Sequence, residues 1–197
     1  MSLLARLLSP RRGQASSIAT TRDPGWLLRS IGRPTRSGVR VTEANALSIT
    51  AVYACVRIIA GPIGQLPCEL LRKDGKKRIP ATDHPAYRAL KRKPNPWMTA
   101  YEQRRLHVSH ELRWGNGYAA IIRNGRGQAM ELWPLLPEVT RPLVEDGELV
   151  YETIDEDGKP KRLPAHDVVH LSSISHDGIL GLSRIALHRE ALGLARV

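Results

Sequence analysis

Phenylalanine is absent from these 197 residues, and all aromatics together make up 5%. Any core must therefore be filled by Leu, Ile and Val, with Trp26, Trp97, Trp114 and Trp133 as its expected large packing units. Cysteine is nearly absent too. Cys55 and Cys68 alone cannot build a disulfide scaffold or a four-ligand zinc site, so buried free thiols are expected. No apolar run approaches the ~20 residues needed to cross a bilayer. Motifs of the strong enzymatic kind are missing as well. There is no Walker A loop, Gly-x-Ser-x-Gly elbow, His-Glu-x-x-His or Cys-x-x-Cys, and no enzyme or cofactor is expected.

Acids are scarce only at one end. Residues 1–40 hold eight arginines (Arg6, Arg11, Arg12, Arg22, Arg29, Arg33, Arg36, Arg40) against Asp23, and so carry +7 of the chain's +11. Such an arm attracts polyanions at long range without reading sequence, and Arg6, Arg11, Arg12 and Arg22 are the candidate contacts. A solvated tail without a partner fits the same composition. The Arg- and Ser-rich start also imitates an organellar transit peptide, although its apolar run is too short and too Arg-broken for a secretory signal. Residues 1–44, with Pro10, Pro24 and Pro34 and no sustained periodicity, are expected to be a largely disordered basic arm.

Order is expected over residues 45–197. Ile49, Val52, Val56, Ile59 and Ile63 follow a 3-4-3-4 spacing and predict a core-facing helix that Gly61-Pro62 bends or ends. Asp74-Gly75, Asn124-Gly125, Asp146-Gly147 and Asp157-Gly158 are hairpin signals, because type I′ turns need positive φ at both central residues. Between the last three lie strand-like runs at 118–123, 128–135, 138–145 and 148–154, a β-meander, with another strand at 167–172. Helices are expected at 84–90, from Thr99 onwards and from Ser183 to the final residue. Thr99-Ala-Tyr-Glu102 forms a capping box, and Gly115 or Asn116 offers a left-handed stop. In this helix Tyr101, Val108 and Leu112 form the apolar face, with His107 and His110 opposite and expected in solvent. The fold class is α+β, with hairpins framed by helices.

His166, His170 and His176 with Asp167 and Asp177 are the one cluster suited to metal or hydrolytic chemistry, and His166 and His170 are expected to share a strand face. All five lie along one local segment, whereas metal ligands converge from several elements. Surface and capping roles are therefore expected. Lys91-Arg-Lys93 sits at a helix C-terminus, where the helix dipole alone favours cations.

Asn95-Pro96-Trp97-Met-Thr99-Ala-Tyr-Glu102, followed by Trp114-Gly115-Asn116-Gly-Tyr118, resembles the double signature of phage portal proteins of the HK97 type. Three flanking segments agree in order: 48–67 with its Leu66-Pro67 exit, Leu132-Trp-Pro134-Leu-Leu-Pro137, and Asp167-Val-Val-His170 with Asp177-Gly-Ile-Leu-Gly181-Leu-Ser183. Arg184 departs from the Pro usual in that family after Ser183. The resemblance implies a wing-like N-terminal body whose signature residues are structural. It also implies a homo-oligomeric ring, usually of twelve copies, at one capsid vertex, where terminase, capsid and neck or adaptor proteins meet it and double-stranded DNA passes through. Its place would be the virion, and the bacterial cytoplasm during assembly. Family members continue into stem, clip and crown segments that have no counterpart in this sequence. A non-assembling prophage remnant and a small basic nucleic-acid-binding module are the alternative readings.

Overall fold

The computed structural model describes Thr35 and residues 38–195. After a 3-10 turn at Asn45–Ser48, helix α1 (Thr50–Gln65) leads to a hairpin, β1 (Leu71–Asp74) and β2 (Lys77–Pro80). Helices α2 (Pro85–Lys91) and α3 (Ala100–Trp114) follow, then β3 (Asn116–Arg123), β4 (Ala129–Leu135), β5 (Arg141–Glu145), β6 (Glu148–Ile154), β7 (Pro160–Pro164) and β8 (Val168–Ser172). Two short helices, α4 (Arg184–Leu187) and α5 (Arg189–Leu194), end the described chain. None of the described helices is long and apolar enough to cross a membrane.

The fold is α+β, and its strands divide into three antiparallel sheets rather than one meander: β1-β2, β4-β3-β8 and β5-β6-β7. Strand β7 has no counterpart among the expected strands, because Pro160-Lys-Arg-Leu-Pro164 has too few apolar residues to show alternation. Pro134 lies in β4 opposite Ala119; β4 pairs only with β3, an edge position where a missing N–H is tolerated.

Of the four Asx-Gly signals, only Asp146-Gly147 makes the expected two-residue turn, with φ of 50° and 87°. The β1-β2 turn slips one residue to Gly75-Lys76. The other two are longer loops, Asn124–Gln128 and Asp155–Lys159. Each is closed by backbone bonds from its first residue and by that residue's carboxylate or amide oxygen. An Asx side chain that bonds its own loop competes with the tight turn.

The cores are small. Tyr118, Tyr151 and Val168 form one between the two three-stranded sheets; Val41, Ala46 and Ile185, with Val39, Val52 and Leu192 against them, form the other. Tyrosines rather than tryptophans are the large buried rings. Trp97 is 81% exposed, Trp114 and Trp133 are half-buried, and Trp26 lies outside the described residues. The expected boundary at 44/45 falls inside packed chain. Thr35, Val41 and Glu43 are buried, so the body reaches back to Thr35, and Arg6, Arg11, Arg12 and Arg22 lie outside the described residues.

Helix α1 keeps Pro62 within its length instead of ending there. Its stripe is only partly covered: Ile49 is buried, whereas Ile59 and Ile63 are exposed and Cys55 is an exposed free thiol. The other cysteine, Cys68, is half-buried and also free. The C-terminal segment is broken at His188 rather than forming one helix; its last two residues lie outside the described set.

Candidate functional site

Helix α3 positions the site. Thr99 and Glu102 form the expected capping box: the Glu102 amide donates to Thr99 Oγ1 (3.3 Å) and the Thr99 amide to Glu102 Oε2 (2.7 Å). Ahead of the cap, buried Asn95 accepts from the amides of Trp97 and Met98 (both 3.0 Å) and donates to Leu132 O of β4 (2.9 Å). Pro96 sits exposed in this turn, and Trp97 meets Trp133 edge to face at 4.8 Å.

The far end of α3 is the centre of the molecule. Gly115 closes the helix with φ of 77°, a left-handed angle that favours glycine, and Asn116 begins β3. Asn116 Nδ2 donates to Gly181 O (2.8 Å) and Trp114 O (3.2 Å). Its Oδ1 accepts from the Gly181 amide (2.8 Å) and His170 Nε2 (3.0 Å). Every polar position of the amide is therefore filled. The Gly181 amide can only donate, which sets the orientation of Asn116. His170 must then carry its proton on Nε2, leaving Nδ1 to accept from Tyr151 OH (3.1 Å).

Contacts of this closeness need bare backbone. A Cβ on Gly181 would lie 2.0 Å from Gly115 O, and one on Gly117 would lie 2.6 Å from His107 O. Ser183 caps α4 by accepting from the Ala186 amide (3.0 Å), and its hydroxyl lies 2.8 Å from Glu43 Oε1 and 2.9 Å from Arg113 O. Arg184 replaces the preset angle of a proline with an ion pair to Glu111 at 2.8 Å.

Trp114, Gly115, Asn116, Tyr118, His170, Gly181 and Ser183 thus converge on one node, while Asn95, Pro96, Trp97, Thr99, Glu102 and Pro134 lie at the other end of α3 and along β4. The remaining members of the histidine cluster disperse. His166 belongs to the turn before β8, so it does not share a strand face with His170. Asp167 pairs with Arg123 at 2.6 Å, and Asp177 Oδ1 accepts from the Ile179 and Leu180 amides. Among the described residues, no group of three or more His, Cys, Asp or Glu is placed to hold a metal. Lys91 pairs with Glu69.

His107 and His110 reverse the expectation of solvent exposure. Helix α3 lies between α1 and β3, so both its sides are covered. His107 Nε2 donates to Gly117 O at 2.8 Å, and His110 is 5% exposed, edge-on to Trp114. Burial lowers both pKa values, that of His110 to about 4 with help from the nearby Arg113 charge; burial also lowers His170 to about 4. Three further contributors carry no signal in the sequence. Glu43 and Tyr151 have no pattern that could reveal a partner distant along the chain. Arg104 donates to Gly64 O at 2.8 Å and Leu90 O at 3.2 Å, closing the ends of α1 and α2 together.

Beside the node a cleft of about 640 Å³ opens between Thr42–Glu43, the 137–141 loop, β6 and Ser183. Its lining is mostly apolar. Ser183 Oγ is taken up by its cap and by the buried acceptors, and no imidazole bonds to it in the described structure.

The signature residues thus hold strands, turns and helix ends in one arrangement, and the family model for phage portal protein matches residues 50–197. The chain belongs to the phage portal protein family. Protein BeeE of Escherichia coli K12 is 32% identical over 126 residues, spanning 63% of this chain and 80% of BeeE. The portal protein of Enterobacteria phage HK97 is 27% identical over 158 residues, 79% of this chain and 37% of that protein. In fold, the chain is similar to an HK97-family phage portal protein from Corynebacterium diphtheriae, with a TM-score of 0.51 at 17% identity over 84% of this chain and 47% of that one. A chain from the neck of an empty GTA particle computed with C6 symmetry aligns at a TM-score of 0.60 and 21% identity, over 88% of this chain and 43% of that one. The chain therefore spans less than half the length of the HK97 portal protein and of these solved chains.

Two outcomes follow for the portal body. Gly181→Ala forces Cβ into Gly115 O and is expected to cost more than about 4 kcal/mol or to abolish soluble expression. Gly125→Ala, with nothing within 4 Å, stays within about 0.5 kcal/mol by urea unfolding. His110 and His170 are neutral in the fold down to about pH 4, whereas a free imidazole titrates near 6.5. Below about pH 6.5 the unfolded chain binds more protons, so this stability is complete above that pH and is lost as pH falls toward 4. Urea midpoints measured from about pH 7 to 5 should fall, and less steeply in His170→Gln, which keeps one donor and one acceptor. An identical slope in the variant would show that His170 does not contribute.

Proposed function

We propose that the chain serves as the wing-like N-terminal body of a portal subunit, one copy in a ring at one capsid vertex through which double-stranded DNA enters and leaves. The observation that carries this reading is the coincidence of two facts. The family match covers residues 50–197, and the residues that carry the resemblance are the ones that lock α3 to β3, β8 and α4. Their polar groups are consumed by one another, as suits a body that transmits load and keeps its shape. The node is passive in chemistry.

In this reading terminase, capsid and neck or adaptor proteins are the ring's partners. The virion is its destination, and the host bacterial cytoplasm is where it assembles. The basic arm is a separate, electrostatic contact to DNA through Arg6, Arg11, Arg12 and Arg22.

Sedimentation velocity and negative-stain microscopy over a wide concentration range test the ring. Reversible association into closed rings is the expected outcome, and a clean monomer at every concentration would make the chain a non-assembling remnant. The arm is tested with a DNA duplex titrated at several salt concentrations. Replacing the four arginines with glutamine should shallow the salt slope by about 0.9 for each phosphate no longer neutralised. An unchanged slope excludes the arm as a DNA contact.

A further inference from the structure

Among the described residues, Arg189 is the one arginine that the fold buries. It is 7% exposed, and its Nε and Nη2 have no hydrogen-bond partner. No acid among the described residues forms an ion pair with it. A buried cation without a counter-charge is strongly destabilising. The two unpartnered nitrogens share one edge of the planar guanidinium, the edge that takes both oxygens of a single carboxylate. One oxyanion, rather than several scattered acceptors, is what the site lacks.

The neighbours of Arg189 indicate the source. Arg189, Leu192 and Gly193 fall at i, i+3 and i+4, on one face of α5. Leu192 packs against the cluster of Val41, Ala46 and Ile185. Gly193 lies directly on Thr35: a Cβ there would come 2.5 Å from Thr35 Oγ1. The face that carries Arg189 therefore turns toward Thr35 and Val41, where the chain arrives from residues 1–34. Those residues, with 36–37 and 196–197, are the ones outside the described set, and together they contain a single acidic side chain, Asp23. It stands twelve positions before Thr35. That length of chain spans up to ~40 Å when extended, so it reaches a site one helical turn from Gly193 with slack to spare.

We propose that Arg189 is a carboxylate-binding site for the chain's own arm, with Asp23 seated bidentately on its Nε–Nη2 edge. The pair supplies the buried guanidinium with its counter-charge and uses the one acid that the first 40 residues hold. It also fixes where the basic arm leaves the body, with Arg6, Arg11 and Arg12 beyond the anchor. The contact forms within one chain, so it holds whether or not copies assemble into a ring.

A double-mutant cycle on the full chain tests it. Asp23→Asn should lower the thermal midpoint in the wild-type background and leave it unchanged in Arg189→Met, where no charge remains to be paired. Equal effects in both backgrounds, or none in either, overturn the proposal. Inorganic phosphate offers the same oxygens as a carboxylate. If it raises the wild-type midpoint and Arg189→Met loses that rise, the edge is open to solutes and the proposal fails. A midpoint that depends on protein concentration while Asp23→Asn is silent assigns the acid to a second copy, and overturns it too. Should Arg189→Met not fold, tryptic cleavage after Arg29, measured against cleavage after Arg6, decides with the wild type and Asp23→Asn alone. Losing the anchor should speed it at least about fivefold, and an unchanged rate overturns the proposal.

Discussion

The amide of Asn116 is the constraint on which the rest of the structure depends. It joins four segments: the end of α3 through Trp114 O, the 181 loop through both backbone groups of Gly181, β8 through His170, and β3 in which it sits. A buried amide is costly unless its donors and acceptors are all met, and here they are met by groups up to 65 residues away. That gives the chain one well-defined way to bring β8 and α4 back onto α3. His170 passes the constraint on to the second sheet through Tyr151, whose ring packs against Tyr118 with centroids 5.8 Å apart. Each link requires His170 to stay neutral, which its burial ensures.

Around that node the architecture is lean in apolar mass. With no Phe and small cores, helix α3 is held largely by polar contacts: the capping box at one end, Arg104 on the carbonyls of Gly64 and Leu90, His107 on Gly117 and the Arg184–Glu111 pair. Such bonds are directional, so they define a shape more strictly than an equal area of aliphatic packing does. Many aliphatic side chains remain outside, among them Ile58, Leu66, Ile174 and Leu187. Scattered singly, exposed aliphatics are ordinary; here they accompany a helix whose apolar stripe its own chain only partly covers.

Local signals are legible where the partner lies within a few residues. Thr99 and Glu102 cap as their spacing says, Gly115 takes the left-handed stop, Ser183 caps α4 and Asp146-Gly147 turns as a type I′ pair should. Legibility ends where a second element intervenes. His107 and His110 look solvent-facing because the α3 pattern has one apolar face, but β3 covers the other, and a polar face buried through hydrogen bonds has no hydropathy signature. Asn124 and Asp155 look like tight turns until their side chains take up the loop amides. The tryptophans look like core on size alone. In fact Trp97 stands in solvent and two tyrosines fill the core, a choice made by where the sheets meet.

The sequence by itself determined the α+β class, the capped starts of α3 and α4, the left-handed stop at Gly115, most of the strands and the family, because each depends on local backbone chemistry or on an ordered set of short motifs. Only the tertiary structure decided that Asn116, His170, Gly181 and Ser183 form one node, that Thr35, Val41 and Glu43 pack into the body, and that the β1-β2 hairpin stands apart from the other two sheets. These depend on groups tens of residues apart being brought within hydrogen-bonding reach of one another, or held apart. Chain folding sets those distances, and no spacing along the sequence encodes them.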